Sequence, residues 1–531
     1  MKVQLLALLA SSLAVLASAR TPASAPLKGR LEKRQWAYDA HTIDQPIDHF
    51  PHSDRYVPHT NGTFKQRYFF DKSYYKPGGP VFLYLAGETW GEWTLDNLQT
   101  GIIQILMKKF NGLGVILENR YYGYSFPYNT TTTDELRFLT TEQTIADNEY
   151  FRQHVKFPGV DADLSSPDTP WVMYGGSLAG SQVAFTMKMY NEIFAGGIAS
   201  SATITVQYEY PNWYKPLMKF APSDCISRII SIIDKMDALI ESGNTAAIQQ
   251  LKDIFGLGSL SSLGDFASTI SFPLGGPLSY PTYTWQELNW VTRDGSNDFW
   301  HFCSNITNPN PPASNLAIDT ALSAHSNGEA WTGLGNYTAY IKSVVLPLCT
   351  TGRINSTDNG CFSTQNTTFY ADPTNTNTRS YLYSTCTEIA SYQTAPRTGP
   401  SLISRVLTVD YNQAWCNQSF PPGTYSRIPP RPEIEYNNVY GSSNMRVKNL
   451  AFIDGAADVW LDQCYHSTLL DGIRVSSDDY PSYLIVDAGH VWDGEGIGDV
   501  EKEPQFMREA HLWEMRTVAR FLERWREKKR G

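Results

Sequence analysis

Five short apolar runs set the limits on what this chain can fold into. Residues 81–85, 114–117, 171–174, 450–453 and 483–486 are continuous and β-prone. Most are bounded by glycine or proline. Runs that do not alternate with polar residues suit strands covered on both faces of a parallel sheet. Helix-like stretches separate the first three. A C-terminal amphipathic helix over residues 504–528 carries Met507, Ala510, Val518, Phe521, Leu522 and Trp525 on one stripe, ready to pack on that sheet. Strands alternating with helices predict a doubly wound α/β sheet whose ligands sit at the carboxyl ends of the strands.

The sequence between the third and fourth runs reads differently. Residues 229–251 are helical in pattern, broken at Gly243-Asn244, and later stretches are rich in Asn, Thr, Ser and Pro. With 531 residues the chain exceeds what one compact core supports, so an insertion into a single sheet is the expected organisation. The expected division is a first sheet segment over 35–205, an inserted cap over 206–430, and a second sheet segment over 431–531.

The N-terminus reads as an export signal. Lys2 precedes an apolar run from Leu5 to Leu16, and Ala17-Ser18-Ala19 is a small-residue cleavage site. That run is shorter than the roughly 20 residues a membrane span needs, and no later segment reaches that length, so no membrane span is expected. Residues 1–19 are therefore read as a signal peptide and 20–34, ending in Lys33-Arg34, as a propeptide. Secretion, or delivery to a vacuolar or lysosome-like compartment, follows. Asn61, Asn129, Asn305, Asn336, Asn355, Asn366 and Asn417 each fit the N-glycosylation sequon. The 7 cysteines form no metal-type cluster. In an oxidising compartment they make up to three disulfides and leave one thiol over, for which Cys464, well away from the others, is the candidate. Spacing alone leaves the pairing open. Charged residues are only 18% of the chain, the net charge is −10 and there is no basic run, which disfavours nucleic-acid binding.

The sharpest local signal is residues 171–182. A β run enters Gly175-Gly176-Ser177 and a helix-prone run leaves it, which is the nucleophile-elbow arrangement. The second glycine of G-x-S-x-G is Ala179 here, with Gly180 one place later. A serine hydroxyl needs a base, and the base an orienting carboxylate, in the chain order Ser, Asp or Glu, His. Of His301, His325, His466, His490 and His511, only His490 directly follows a strand. Asp458 follows the strand ending at Ile453. Asp454 is its rival but lies where the strand ends, beside Gly455, while Asp462 and Asp487 read as solvated or capping. The catalytic set is thus Ser177, Asp458 and His490. An oxyanion hole needs two backbone N–H groups. Leu178, after the nucleophile, supplies one, and the loop at Gly87 the other. Glu88, next in that loop, is a candidate for holding a substrate amine.

Together these motifs resemble the serine peptidases that include lysosomal Pro-X carboxypeptidase, dipeptidyl peptidase II and the fungal acid prolyl endopeptidases. The matching segments run in order along nearly the whole chain: residues 45–50 (QPIDHF), 63–68 (TFKQRY), Gly87-Glu88, 118–125 (ENRYYGYS), Gly175-Gly176-Ser177, Cys386-Thr387-Glu388 and 454–460 (DGAADVW). The resemblance implies an α/β-hydrolase fold with a large, mainly helical, disulfide-bearing cap, and the Ser177–Asp458–His490 triad. It also implies cleavage on the carboxyl side of proline at acidic pH, a Cys386–Cys416 disulfide, and Trp460 and Tyr392 as further substrate contacts. Asn119, Val459 and Leu178 depart from the usual His, Pro and Tyr. Ala390 and Ser391 stand where the fungal enzymes carry Trp, leaving a wider, less aromatic pocket that suits a small residue as well as proline. Peptide or protein substrates are the expected partners, no cofactor or metal is required, and the chain is a monomer or homodimer. A carboxylesterase or lipase of the same fold, and a hydrolase-like binding protein with a dead triad, are the alternatives.

Overall fold

The structure is a computed structural model that describes residues 38–275, 285–291, 298–347, 362–472 and 474–530. The expected signal peptide and propeptide, Cys349, Cys361 and Asn355 lie outside the described residues. Eight strands form one sheet in the order β1-β2-β4-β3-β5-β6-β7-β8. They are β1 His41–Pro46, β2 Thr63–Asp71, β3 Val81–Leu85, β4 Leu113–Leu117, β5 Trp171–Gly176, β6 Gly196–Ser200, β7 Leu450–Gly455 and β8 Ser482–Ile485. The β1–β2 and β2–β4 pairs are antiparallel, and every pair from β4 through β8 is parallel. The molecule has the α/β-hydrolase fold, and four of the five apolar runs are central strands of its sheet.

Strand side chains alternate between two cores. Leu83, Val115, Met173 and Phe452 face one, and Phe82, Ile116, Val172 and Ile453 the other. The first is covered by α1 (Thr141–His154) and α2 (Ser177–Tyr190), through residues such as Phe151 and Val183. The second is covered by the helix Ile102–Phe110 and the long C-terminal helix Gln505–Arg530, whose expected stripe is buried. Burying one such aliphatic side chain contributes roughly 1.5–3 kcal/mol, so covering both faces is what makes uninterrupted apolar strands stable. β8 is the exception among the five runs. It lies at the sheet edge, Leu484 is exposed, and Val486 falls beyond the strand and is exposed too.

β6 carries almost no β-propensity, yet it sits in mid-sheet. A Cβ on Gly196 would come within 2.2 Å of Phe521, and one on Gly197 within 2.8 Å of Val183. The two glycines let helices close onto the sheet from opposite sides.

Between β6 and β7 the described chain contributes no strand to the sheet and is largely helical. The helical run expected at 229–251 is two helices, Ser223–Glu241 and Thr245–Ile254. Gly243 supplies the left-handed turn at φ 67°, and the Asn244 side chain caps the second helix through the Ala247 N–H at 3.1 Å. This layer has its own core, from Trp213 and Ile229 to Trp331 and Tyr337, and that core takes in Ala457, Val459 and Trp460 from the loop after β7. Among the described residues two disulfides tie it, Cys225–Cys303 and Cys386–Cys416. Cys464 is a buried free thiol.

Candidate active site

β5 runs into α2 through Gly176, and Ser177 takes φ 58°, a left-handed conformation that costs a non-glycine residue about 1–2 kcal/mol. Its small neighbours are required by close approach. A Cβ on Gly175 would lie 2.4 Å from the Ala179 carbonyl oxygen, and one on Gly180 would lie 2.7 Å from that of Ser200. Ala179 itself is tolerated because the residue across from it is Gly87, at φ 66°, where a Cβ would meet the Ala179 methyl at 3.2 Å. The Gly87 loop is therefore seated directly on the first turn of α2. The Leu178 N–H belongs to that same turn, where backbone donors have no partner within the helix.

His490 and Asp458 face each other. The imidazole Nδ1 lies 3.0 and 2.9 Å from the two carboxylate oxygens of Asp458, which is buried. The Trp460 N–H donates to Asp458 Oδ1 at 2.8 Å. An acceptor-only carboxylate fixes the proton on Nδ1 and leaves Nε2, on the opposite edge of the ring, free of that proton. The two loops are stitched together, Ala456 N–H to the Ile485 carbonyl at 3.0 Å and Ala457 N–H to that of Ala488 at 2.8 Å. Gly455 has no room for a side chain between them, since its Cβ would lie 2.3 Å from the Gly489 oxygen. The residue after His490 reaches the elbow: a Cβ on Gly176 would lie 2.4 Å from Val491 Cγ1. The Val491 N–H donates to Ser201 Oγ at 3.0 Å. Gly176 and Val491 thus meet at one rim of the sheet, which sets the elbow beside the loop that carries His490.

The rival carboxylate is occupied elsewhere. Asp454 is buried inside β7 rather than turning with Gly455, and it accepts from His466 Nδ1 at 2.7 Å and from the His466 N–H at 3.0 Å. Asp462 is likewise buried, not solvated, and takes the Thr468 N–H and hydroxyl at 2.8 and 2.6 Å. His511 is enclosed in the C-terminal helix between Glu503, at 2.6 Å, and the Asp493 carbonyl, at 3.0 Å. His301 and His325 are exposed on the helical layer.

Glu88 does lie near this group. Burial raises its carboxyl pKa above the usual range, and the charge of His490 pulls it back down. Trp460 stacks on Tyr210 with rings 5.4 Å apart and nearly parallel, and its indole N–H donates to Gln286 at 3.2 Å. Tyr392 is buried, its hydroxyl donates to Gln413 at 2.8 Å, and it packs among Tyr383, Cys386 and Cys416. Asn336 is buried in a helix and its Oδ1 accepts from Asn315 at 2.8 Å. The sequons at Asn61, Asn129, Asn305, Asn366 and Asn417 are exposed. Burial raises the Cys464 thiol pKa well above its ordinary value, and Sγ donates to the Trp460 carbonyl at 3.2 Å, so this thiol is inert packing.

Sequence reasoning missed two supports of the site. Asp493, three residues past His490, is buried and accepts from Ser200 Oγ at 2.6 Å and Tyr174 OH at 2.7 Å, tying the histidine loop to β5 and β6. Burial raises its pKa. The inserted layer also clasps the loops that carry Asp458 and His490. Trp285 donates to the Ala457 carbonyl at 2.9 Å, Trp492 to that of Leu288 at 2.6 Å, and Trp290 to that of Trp492 at 2.9 Å. Only the density of Trp in 285–300 and 492–525 hinted at such contacts. Among the described residues no group of His, Cys, Asp or Glu side chains could hold a metal ion, and no helix is long and apolar enough to cross a membrane.

The chain is similar to known peptidases over most of its length. The family described as "Serine carboxypeptidase S28" matches residues 45–268 and 300–506. The "Probable extracellular serine carboxypeptidase" of Arthroderma benhamiae is 35% identical over 508 residues, covering 92% of this chain and 68% of that one. The "Serine protease vicPb" of Bipolaris victoriae is 28% identical, covering 88% and 87%. The "Lysosomal Pro-X carboxypeptidase" of Mus musculus is 31% identical over a shorter stretch, 32% of each chain. With a match over most of its residues and an elbow serine on an α/β-hydrolase sheet, the chain belongs to the serine carboxypeptidase S28 family and is a serine-type peptidase.

Proposed function

We propose that the protein is a secreted peptidase acting through Ser177, Asp458 and His490, which cleaves on the carboxyl side of proline or a small residue at acidic pH. The observation that carries this reading is the buried Asp458 carboxylate gripping His490 Nδ1 beside the strained elbow. His490 takes the Ser177 proton as the hydroxyl attacks the scissile carbonyl. Asp458 holds the imidazole tautomer and stabilises the imidazolium that forms. The Leu178 and Gly87 N–H groups receive the developing oxyanion. His490 then protonates the leaving amine, and water, deprotonated by the same imidazole, releases the acyl group.

The raised Glu88 carboxyl supports acidic operation. A neutral Glu88 at low pH withdraws a negative charge that would otherwise favour the protonated imidazole, which cannot act as base. The name of the Arthroderma relative supports release from a carboxyl terminus and an extracellular setting. A second reading rests on the same Glu88, which once ionised would hold a substrate α-amine and direct cleavage toward the amino terminus. Peptides blocked at one end or the other, incubated at pH 4 and pH 7 with products read by mass, separate the two modes. For the chemistry, Ser177→Ala is expected to remove both fluorophosphonate labelling and peptide hydrolysis from a protein that still folds. Full hydrolysis in that variant refutes the assignment.

A further inference from the structure

Exposed aromatic rings are ordinary when single and informative when contiguous on a rigid mount. Three lie together next to the Gly87-Glu88 loop. Trp93 is 51% exposed and Tyr124 61% exposed. Trp90, half-buried, sits between them, its ring centre 5.6 Å from that of Trp93 and 5.7 Å from that of Tyr124.

The mount is unusually well built. Trp90 and Trp93 stand on the short helix at Gly91–Thr94, and Tyr124 on a separate loop. One buried carboxylate fastens both. Glu118 takes the Gly91 N–H at 3.1 Å, the Tyr124 N–H at 3.0 Å and the Ser125 hydroxyl at 2.6 Å. Gly91 has no room for a Cβ, which would fall 2.8 Å from Phe69. Arg67 lies under the shelf, its guanidinium 4.6 Å from the Tyr124 ring centre and paired with Glu92. Burial raises the Glu118 pKa, opposed by Arg67 and these hydrogen bonds, so a carboxylate that is costly to bury is spent on holding exposed rings in place.

Position argues for what the shelf takes. Trp90 is three residues from Gly87, at most about 10 Å along the chain. Gly87 in turn sits on Ala179, two residues from the elbow serine. A polypeptide threaded through the site passes over these rings within a few residues of the scissile bond. Flat aromatic surfaces without charged side chains of their own suit extended apolar chain, and proline, locked near the polyproline conformation, stacks on such rings with little entropy to lose. We propose that Trp90, Trp93 and Tyr124 form a subsite for a proline-rich or aromatic segment of the substrate, flanking the bond that is cut. This rests on the active-site reading above and extends it from the scissile residue to the substrate's length.

The test compares three peptides with the same scissile bond: a blocked tetrapeptide, a dodecapeptide whose distal positions are Pro and Phe, and one whose distal positions are Gly and Ser. In the wild type kcat/KM should favour the Pro/Phe dodecapeptide over its Gly/Ser counterpart. Trp93→Ala or Tyr124→Ala should each lower that preference about five- to tenfold, through KM rather than kcat. Trp93→Phe and Tyr124→Phe should keep most of it. The tetrapeptide reports general damage, because a misfolded variant loses all three substrates alike. A preference absent in the wild type, or unmoved by both Ala variants, overturns the proposal. Failure of the active-site reading shows separately, as turnover that survives Ser177→Ala.

Discussion

Asp458→Asn is the most informative single change, because the structure dictates which way the new amide must point. The Trp460 N–H donates to Oδ1 at 2.8 Å and needs an acceptor there. The asparagine oxygen therefore takes the Oδ1 place and its NH2 group the Oδ2 place, 2.9 Å from His490 Nδ1. A donor now faces Nδ1 at 2.9 Å where the carboxylate offered only acceptors, and the Nδ1–H form keeps a single acceptor, the oxygen at the Oδ1 place 3.0 Å away. Nearly isosteric replacement thus leaves the packing intact and shifts the imidazole toward the tautomer protonated on Nε2, the atom that has to accept from Ser177. The same shift in serine-protease triads lowers kcat by about 10⁴, equivalent to roughly 5.4 kcal/mol of barrier at 1.36 kcal/mol per decade. We expect kcat/KM on a peptide substrate to fall by about that factor, with fluorophosphonate labelling slowed in parallel and the thermal midpoint within a few degrees of wild type. A loss smaller than tenfold in a folded protein would refute the assignment of Asp458 as the orienting acid. Asp454→Asn, which touches His466 instead, is the matched control and should cost far less activity.

Gly176→Ala places a methyl 2.4 Å from Val491 Cγ1 and so displaces the loop carrying His490. Activity should fall about 100-fold, as expected for an error near 1 Å in a catalytic group, and Val491→Ala in the same chain should restore at least a tenth of it. Glu514 is enclosed beside Asp493 and Glu503, and neither of its oxygens has a hydrogen-bond partner among the described residues; burial pushes its pKa well up. A carboxyl whose folded pKa is raised contributes fully below the ordinary carboxyl range near pH 4 and loses that contribution as pH rises. Denaturant unfolding of Glu514→Gln should show it gaining on the wild type between pH 4 and pH 7, and an equal difference at both pH values would contradict this. Cys386 and Cys416 close a loop with sequence separation 30. Replacing both with Ser should lower unfolding free energy by about 3.5 kcal/mol on the chain-entropy account, and an unchanged denaturant midpoint would exclude that contribution.

The strands flanked by helices were legible because burial on both faces leaves an uninterrupted apolar string, as in residues 81–85 and 171–174. β6 was not. Gly196 and Gly197 are there for the helices that close on them, and that is a tertiary fact with no local signature. Ser177, Asp458 and His490 stand out in the sequence in that order because each lies just past a strand. Choosing between Asp458 and Asp454 was weaker, since what separates them is that Asp454 points at His466, twelve positions on. The surroundings of Tyr392 were not legible for a related reason: only the folded chain shows its hydroxyl spent on Gln413. Asp493 was invisible, because its worth lies entirely in reaching Tyr174 and Ser200.

Three indole hydrogen bonds join segment 285–290 to the loops after β7 and β8, two donated by Trp285 and Trp290 and one received by the Leu288 carbonyl from Trp492, and they have a practical bearing on engineering. A roof hung from the same two loops that carry Asp458 and His490 is not an interchangeable module. Grafting a roof from a relative to alter which peptides are admitted would drag Asp458 and His490 out of register unless indoles reaching the Ala457 and Trp492 carbonyls, and a carbonyl placed to receive the Trp492 indole, travel with the graft.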